Sequence, residues 1–297
     1  MRKQDEIIFF SEGVPISGTF SRNENFSKPS PAVILAHGYA NYRGEFGGFD
    51  ELSSVLNESG FAVLRFDFRG CGDSGEKGRM LCATEWPSDL MNAITWLYSR
   101  EEINQKKIGI VGQSMGAATT ALISSLDDRI ACAICMAPTS DGRRWLEDIW
   151  CTSKSRSEWE GFWDSIKMDR LDRVLTGNSK IKPIFELLGM NTDGKENWIS
   201  LNKKFPKFLL EAPMESIDSV SLLRPIDSIS ASKSPLLFIH GQNDVLVPSK
   251  NSIELFEKAN DPKELFLIAG AGHDLPIGDF KNIVQHKIIE FLNQYLR

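Results

Sequence analysis

The sequence lacks the features that mark several classes of protein. Its lysines and arginines form no long block that could neutralise a phosphate backbone, and the formal net charge is -6, so nucleic acid is not an expected partner. The N-terminal apolar run, Ile7 to Phe10, is far too short for a signal-peptide core or a membrane span. We therefore expect a cytoplasmic protein that does not associate with membranes.

Cysteine is scarce and odd in number. Five widely spread residues do not suggest a disulfide framework in a chain of 297, so we expect reduced thiols. Cys132 and Cys135 form a C-x-x-C, but they lie in a run that is typical of a buried strand, where positions three apart face opposite sides. That geometry argues against joint metal binding, and no further ligand is spaced for a zinc site. We expect no metal centre.

Apolar, β-rich runs alternate with amphipathic stretches of helical length along most of the chain. This alternation is typical of an α/β fold with a mostly parallel central sheet and helices on both faces. The predicted strands are residues 32–36, 62–66, 108–111, 130–136, 236–239 and 264–268, and the predicted helices are residues 48–59, 84–99, 114–125, 249–259 and 278–295. Residues 7–10 and 14–20 predict an antiparallel hairpin at the sheet edge.

The alternation breaks between Pro138 and Ser234. Because a stretch of this length cannot be a structureless loop in a compact domain, we expect an inserted helical cap at residues 139–233, flanked by a core formed from residues 1–138 and 234–297. Five of the seven tryptophans lie in the insertion: Trp145, Trp150, Trp159, Trp163 and Trp198. They either build a small core of the cap or line a substrate pocket.

The strongest motif is the glycine-flanked serine at residues 112–116, Gly-Gln-Ser-Met-Gly. It follows a predicted strand and precedes a small-residue helix, which is the context of a nucleophile elbow. The sharp turn strains the serine backbone, and the flanking glycines leave no Cβ to clash with the neighbouring strand and helix. We predict that Ser114 is a nucleophile held at a helix N-terminus, whose partial positive charge favours a developing oxyanion.

A serine nucleophile needs a base, and the chain has only four histidines: His37, His240, His273 and His286. His273 lies in a glycine-rich loop after the last predicted strand, which can bring its ring over the edge of the sheet where Ser114 lies. Asp244 lies in a polar turn past the strand at 236–239, and the order Ser, Asp, His is the one that accompanies this elbow. We predict that Asp244 orients His273; an ordinary turn or N-cap aspartate is the alternative.

Two backbone amides are predicted to bind the oxyanion. One is the N–H of Met115, and the other is the N–H of Tyr39, with Ala40 as the nearest alternative. Gly38 gives the backbone the freedom to turn the amide into the site.

Two residues at the start of the insertion are candidates for substrate binding. Trp145 would contact the substrate, and Arg143 would bind a substrate carboxylate. Solvation at the surface is the alternative for Arg143.

On these residues the chain resembles the α/β-hydrolase superfamily across almost all of its core. More narrowly, it is similar to capped bacterial esterases related to cinnamoyl (feruloyl) esterases and to the serine aminopeptidase-like group. The stretches that carry the resemblance are residues 33–40, 60–75, 108–118, 235–248 and 269–274. The resemblance implies the α/β-hydrolase fold, an acyl-enzyme on the serine that water hydrolyses, a helical insertion between the sixth and seventh strands, and no metal or organic cofactor.

The first functional hypothesis is hydrolysis of a carboxylic ester in a small-molecule acyl substrate. Thioesterase, amidase and peptidase activities remain open, because the same machinery handles all acyl groups. Acyl transfer to a bound alcohol or amine would need a dry acceptor pocket. A ligand sensor that keeps the triad without turnover is a third hypothesis, and the sequence leaves a homodimer open.

Overall fold

The computed structural model describes residues 2–25 and 29–297. The strands are β1 (Arg2–Ser11), β2 (Val14–Asn23), β3 (Ser30–Ala36), β4 (Ala62–Phe66), β5 (Ile103–Gln113), β6 (Cys132–Met136), β7 (Ile181–Pro183), β8 (Glu211–Pro213), β9 (Leu236–Gly241) and β10 (Lys263–Ile268). The helices are α1 (Gly48–Glu58), α2 (Glu85–Tyr98), α3 (Met115–Ile123), α4 (Gly142–Ser153), α5 (Arg156–Thr176), α6 (Ile184–Leu187), α7 (Thr192–Lys204), α8 (Met214–Leu222), α9 (Lys250–Lys258) and α10 (Lys281–Leu296). Short 3₁₀ turns lie at Glu45–Gly47, Pro225–Asp227 and Ile229–Ala231. Within these ranges no helix has the length and apolar character needed to cross a bilayer.

The central sheet has eight strands in the order β1-β2-β4-β3-β5-β6-β9-β10. β1 and β2 form the predicted antiparallel edge hairpin, β2 joins β4 antiparallel, and the remaining pairs are parallel. The predicted mostly parallel sheet is therefore confirmed. β5 begins at Ile103, earlier than predicted. The prediction missed this part of the strand because the polar residues that follow Ile103 do not show the apolar pattern of a buried strand.

Two apolar clusters cover the two faces of the sheet. One contains residues of α2, α3 and α9, and the other contains residues of α1 and α10. Cys135 belongs to the first cluster and Cys132 to the second, as expected for strand positions that face opposite sides. The sheet is thus buried on both faces, and its strands end at an edge where loops can form a site.

The segment between β6 and β9, which we call the cap, contains α4 to α8, and the predicted bounds 139–233 fall in the connections to these two strands. It is mostly helical, but it also contains the antiparallel pair β7 and β8, which the sequence did not predict. Strands of three residues are too short to show an alternating pattern. Asp218 of α8 accepts hydrogen bonds from Arg170 and Arg173 of α5, and these bonds tie the cap helices together.

Candidate active site

Ser114 lies in the sharp turn between β5 and α3. Its backbone angles are φ 54° and ψ -117°, a conformation that is strained for a residue with a side chain. Its N–H donates a 2.8 Å hydrogen bond to the carbonyl of Met136 at the end of β6, which holds the turn against the sheet. The turn has the geometry that a nucleophile elbow requires.

The two flanking glycines allow α3 to pack closely on the sheet. A Cβ on Gly116 would lie 2.3 Å from the carbonyl oxygens of Ala36 and His37. A Cβ on Gly112 would lie 2.6 Å from the Cα of Ala117. Since Cβ atoms do not approach backbone so closely, both positions need glycine, and the first turn of α3 is fixed against the end of β3.

Asp244 and His273 come from the loops that follow β9 and β10. Asp244 Oδ2 accepts a 2.7 Å hydrogen bond from Nδ1 of His273, and Oδ1 accepts from the backbone N–H groups of Leu246 at 2.9 Å and Val247 at 2.8 Å. With its proton on Nδ1, the neutral ring of His273 presents Nε2 as an acceptor. Ser114 and His273 line the same cavity, so the structure brings the three predicted residues together.

Electrostatics favour an ionised Asp244 beside a basic His273. Burial raises the pKa of Asp244, but the charge of His273 and the hydrogen bonds that Asp244 accepts outweigh it and hold the pKa well below its usual range. Burial lowers the pKa of His273, but the Asp244 carboxylate raises it, and the net shift is upward. The pair therefore stabilises an imidazolium that forms on the base.

Sequence reasoning missed a second contact of the acid. His240, the penultimate residue of β9, places Nε2 2.7 Å from the carbonyl oxygen of Val247 and 3.2 Å from Asp244 Oδ2, while Nδ1 lies 2.7 Å from Ser252 Oγ. In the sequence analysis, His240 was weighed only as a possible base. Its spacing of four residues before Asp244, across one tight turn, was the available signal for a supporting contact.

The two predicted oxyanion donors flank Ser114. Met115 is the first residue of α3, so its N–H has no acceptor within the helix. The loop that carries Tyr39 passes close to the nucleophile, because a Cβ on Gly38 would lie 3.3 Å from the Cβ of Ser114. Backbone of both segments is thus available beside the serine.

A cavity of about 420 Å³ opens above these residues. Its core side includes Ser114, Met115, Tyr39 and His273, and its cap side is mainly apolar: Trp145, Ile149, Leu188, Met190, Trp198, Leu201 and Phe208. Glu45 and Asp274 also line it, and none of the described lining residues is a lysine or an arginine. Burial raises the pKa of Glu45 to about 8, although the N–H of Gly38 opposes this shift.

The cap tryptophans serve both predicted purposes. Trp145 and Trp198 line the cavity, whereas the other three pack against one another. Arg143 does not line the cavity with them. Its guanidinium carbon lies 3.1 Å from the ring centroid of Trp163 and 4.8 Å from that of Trp159. This position corrects the expectation that Arg143 binds a substrate carboxylate, because the stacking directs its side chain toward α5.

Comparisons of sequence place the chain among known proteins. Residues 31–172 match the model of a protein family that is described as 'alpha/beta hydrolase fold'. An uncharacterised 31.7 kDa protein from the traX-finO intergenic region of Escherichia coli is 26% identical over 266 residues, which cover 89% of each chain. A polyketide transferase of Penicillium sp. is 26% identical over 282 residues, 91% of this chain and 90% of that one.

Solved structures show the same architecture. The alpha/beta hydrolase GrgF from Penicillium sp. sh18 superimposes with a TM-score of 0.81 and 21% identity, over 99% of both chains. Est1E from Butyrivibrio proteoclasticus with bound ferulic acid superimposes with a TM-score of 0.68 and 18% identity, over 98% of this chain and 99% of that one. In structure, the chain therefore has the α/β-hydrolase fold.

Proposed function

We propose that the protein is a serine hydrolase that cleaves a carboxylic ester through an acyl-enzyme on Ser114. One observation carries this proposal: the strained Ser114 turn opens into the cavity that also contains the His273 ring, hydrogen-bonded to Asp244. The three side chains come from separate loops at one edge of the sheet. A structural role for these residues would not require their convergence on a cavity.

The first half of the reaction acylates the serine. Ser114 Oγ attacks the ester carbonyl carbon while its proton passes to Nε2 of His273, and the carbonyl oxygen becomes an oxyanion. The N–H groups of Met115 and Tyr39 donate to this oxygen, and Asp244 stabilises the imidazolium. The intermediate then collapses, the carbon–oxygen bond to the alcohol breaks, and His273 gives the alcohol its proton.

The second half releases the acid. Water attacks the acyl carbon while His273 Nε2 takes one of its protons, and a second oxyanion forms in the same site. When this intermediate collapses, Ser114 Oγ leaves and recovers a proton from His273. The carboxylic acid departs and the enzyme is regenerated.

The cavity supports a small substrate with an apolar acyl group. Its volume of about 420 Å³ lies in the range of small-molecule sites, and the cap side is mainly aromatic and aliphatic. The ferulic acid bound to Est1E supports an ester with an aromatic acyl group as one such substrate. A thioester or an amide of the same acyl group would use the same residues.

Acyl transfer is the second candidate function. It is favoured by the similarity to the Penicillium polyketide transferase and by the mainly apolar cap side of the cavity, where a bound acceptor would displace water from an acyl-enzyme. In this reaction the hydroxyl or amine of a bound acceptor takes the place of water, and His273 removes its proton. The acyl group then moves to the acceptor instead of forming the free acid.

A fluorophosphonate probe and a substrate panel test both functions. The probe should label wild type at Ser114 and leave Ser114→Ala unlabelled, and wild type should turn over short-chain p-nitrophenyl esters that Ser114→Ala does not cleave. The panel adds thioesters and aminoacyl amides, with and without alcohol and amine acceptors. A wild-type protein that stays unlabelled at position 114 would refute the proposal, and exclusive formation of free acid would exclude transfer.

A further inference from the structure

Glu45 is a buried carboxyl group in the cavity wall to which the proposed mechanism gives no role. It is 5% exposed. Oε2 accepts a 2.7 Å hydrogen bond from the N–H of Gly38, and Oε1 accepts a 2.7 Å bond from Nδ2 of Asn41. The Asn41 side chain is itself fixed, since its Oδ1 accepts from the N–H of Tyr42 at 3.0 Å. Both oxygens of Glu45 are thus used to hold the 37–47 loop.

The same loop carries the proposed oxyanion donor Tyr39. The carbonyl of Gly38 accepts from Nδ1 of His37 at 2.8 Å and from the N–H of Asn41 at 3.3 Å. His37 is in the tautomer that allows this, because Nε2 accepts from the N–H of Phe68 and burial lowers the pKa of the ring to about 4. In a trans peptide the N–H of Tyr39 points opposite to the Gly38 carbonyl. Fixing Gly38 therefore fixes the direction of the donor.

The loop needs such support because its backbone is strained. Ala40, Glu45 and Phe46 have positive φ angles of 61°, 43° and 54°, which are unfavourable for residues with a side chain. Conformations of this kind persist where surrounding contacts hold them. Glu45, near the C-terminal end of the strained segment, bonds to Gly38 and Asn41 at its N-terminal end.

We propose that Glu45 is a positioning residue of the oxyanion hole: its carboxylate fixes Gly38 and Asn41 so that the N–H of Tyr39 points at the acyl oxygen. This inference rests on the proposed function, in which that N–H binds the oxyanion. Glu45 acts through the loop and contacts no reacting atom. The ionised form accepts both hydrogen bonds, because a proton on either oxygen would face an N–H donor, and with a pKa of about 8 this form predominates above pH 8.

The test compares Glu45→Gln with wild type. The amide of glutamine presents one acceptor and one donor group, so it cannot accept both hydrogen bonds. The matched control is Glu58→Gln, which makes the same change at an exposed residue at the end of α1. Assays at pH 9 keep Glu45 ionised, since its pKa is about 8. The readouts are kcat, KM and the inhibition constant of a trifluoromethyl ketone.

The ketone reports on the oxyanion hole directly. Ser114 Oγ bonds to the ketone carbon, its proton moves to His273, and the ketone oxygen becomes an anion in the hole. Glu45→Gln should lower kcat by roughly 10- to 100-fold, which is no more than the effect of removing one oxyanion-hole donor outright. KM should stay within about twofold, and the inhibition constant should rise by about the factor by which kcat/KM falls. Glu58→Gln should change none of these values.

An unchanged inhibition constant, or a loss confined to KM, would overturn the inference. If Glu45→Gln does not unfold cooperatively, Asn41→Ala removes one of the two contacts, and it should show a smaller version of the same pattern. An unaltered inhibition constant in a folded Asn41→Ala then overturns it as well. A wild-type protein that is not labelled by the probe and does not turn over esters would refute the proposed function itself. An active wild type with an equally active Glu45→Gln would refute only the role of Glu45.

Discussion

His240 Nε2 lies 3.2 Å from Asp244 Oδ2, the same oxygen that accepts the 2.7 Å hydrogen bond from His273. Because Nε2 also lies 2.7 Å from the carbonyl oxygen of Val247, it carries the proton, and Nδ1 accepts from the hydroxyl of Ser252. His240 is thus a fixed donor to Val247 that also lies against the acid. It supports the Asp244–His273 pair and does not compete with His273 as the base.

Replacing His240 should weaken this support. We expect His240→Asn to lower kcat about tenfold, the equivalent of about 1.4 kcal/mol, because the contact of Nε2 with the Asp244 carboxylate is lost. The melting temperature should fall too, since Val247 and Ser252 lose their partner. Ser252→Ala serves as the control, because it keeps the Nε2 donor and should lose less activity. A His240→Asn enzyme with wild-type kcat would show that the contact does not matter for catalysis.

The charge of Asp244 sets the pH at which His273 becomes a base. Protonated His273 cannot accept the serine proton, so kcat/KM should rise with pH through the pKa of His273, which Asp244 raises. In Asp244→Asn the charge is lost and burial lowers the pKa, so the rise should move to lower pH. The plateau should fall on the order of 10³- to 10⁴-fold, because the ring loses its orienting acceptor. A pH–rate profile of both proteins measures the two effects, and an alkaline shift would contradict the assignment.

The close contact of Gly116 with the end of β3 predicts a steric effect. Gly116→Ala would place a Cβ 2.3 Å from two carbonyl oxygens, and we expect it to destabilise the fold by about 1–3 kcal/mol and to displace the Met115 amide. Gly161→Ala is the matched control, since a Cβ there meets no atom within 4 Å. In the interior of α5 it should stabilise by about 0.5–1 kcal/mol. Urea unfolding of both variants tests the contrast, which equal stabilities would refute.

Much of the core could be predicted because buried parallel strands are continuous apolar runs. The predicted and observed bounds of β4 coincide at Ala62–Phe66. Asp244 and His273 could be paired for a related reason: each follows a strand, and the carboxyl ends of parallel strands meet at one edge of the sheet. Glu45 could not be found in this way, because its burial depends on positive φ angles in a polar, glycine-rich stretch that is typical of a surface loop.

Arg143 shows a second limit of sequence reasoning. Its position after β6 placed it near the mouth of the cavity, but the direction of a helical side chain depends on how α4 packs. The structure places its guanidinium over Trp163 and Trp159, while Trp145, two residues later, faces the cavity.

Cap residues that line the cavity and cap residues that pack away from it should respond differently to mutation. Arg143→Met should leave KM unchanged and lower the stability of the protein by about 0.5–1 kcal/mol, because its cation–π contacts with Trp163 and Trp159 are lost. Trp198→Ala should raise KM, since Trp198 lines the cavity. Steady-state kinetics with a neutral ester and with an ester that carries a carboxylate on its acyl chain, together with thermal unfolding, separate the two results. A KM that rises in Arg143→Met for the anionic ester and not for the neutral one would restore the carboxylate-binding role that the sequence suggested.

The lining of the cavity predicts discrimination by substrate charge. Glu45 and Asp274 face the cavity, and a carboxylate on the acyl chain would be desolvated there without a cationic partner among the described lining residues. We expect the p-nitrophenyl ester of succinate to have a kcat/KM at least about tenfold below that of the neutral butyrate ester, a barrier difference of about 1.4 kcal/mol. Asp274→Asn should recover up to about fivefold for the anionic ester, since two charges 4 Å apart in water repel by about 1 kcal/mol. The butyrate ester should change little in this variant, which controls for effects on His273. Equal turnover of the two esters by wild type would mean that the acyl group does not enter the cavity between Asp274 and the cap.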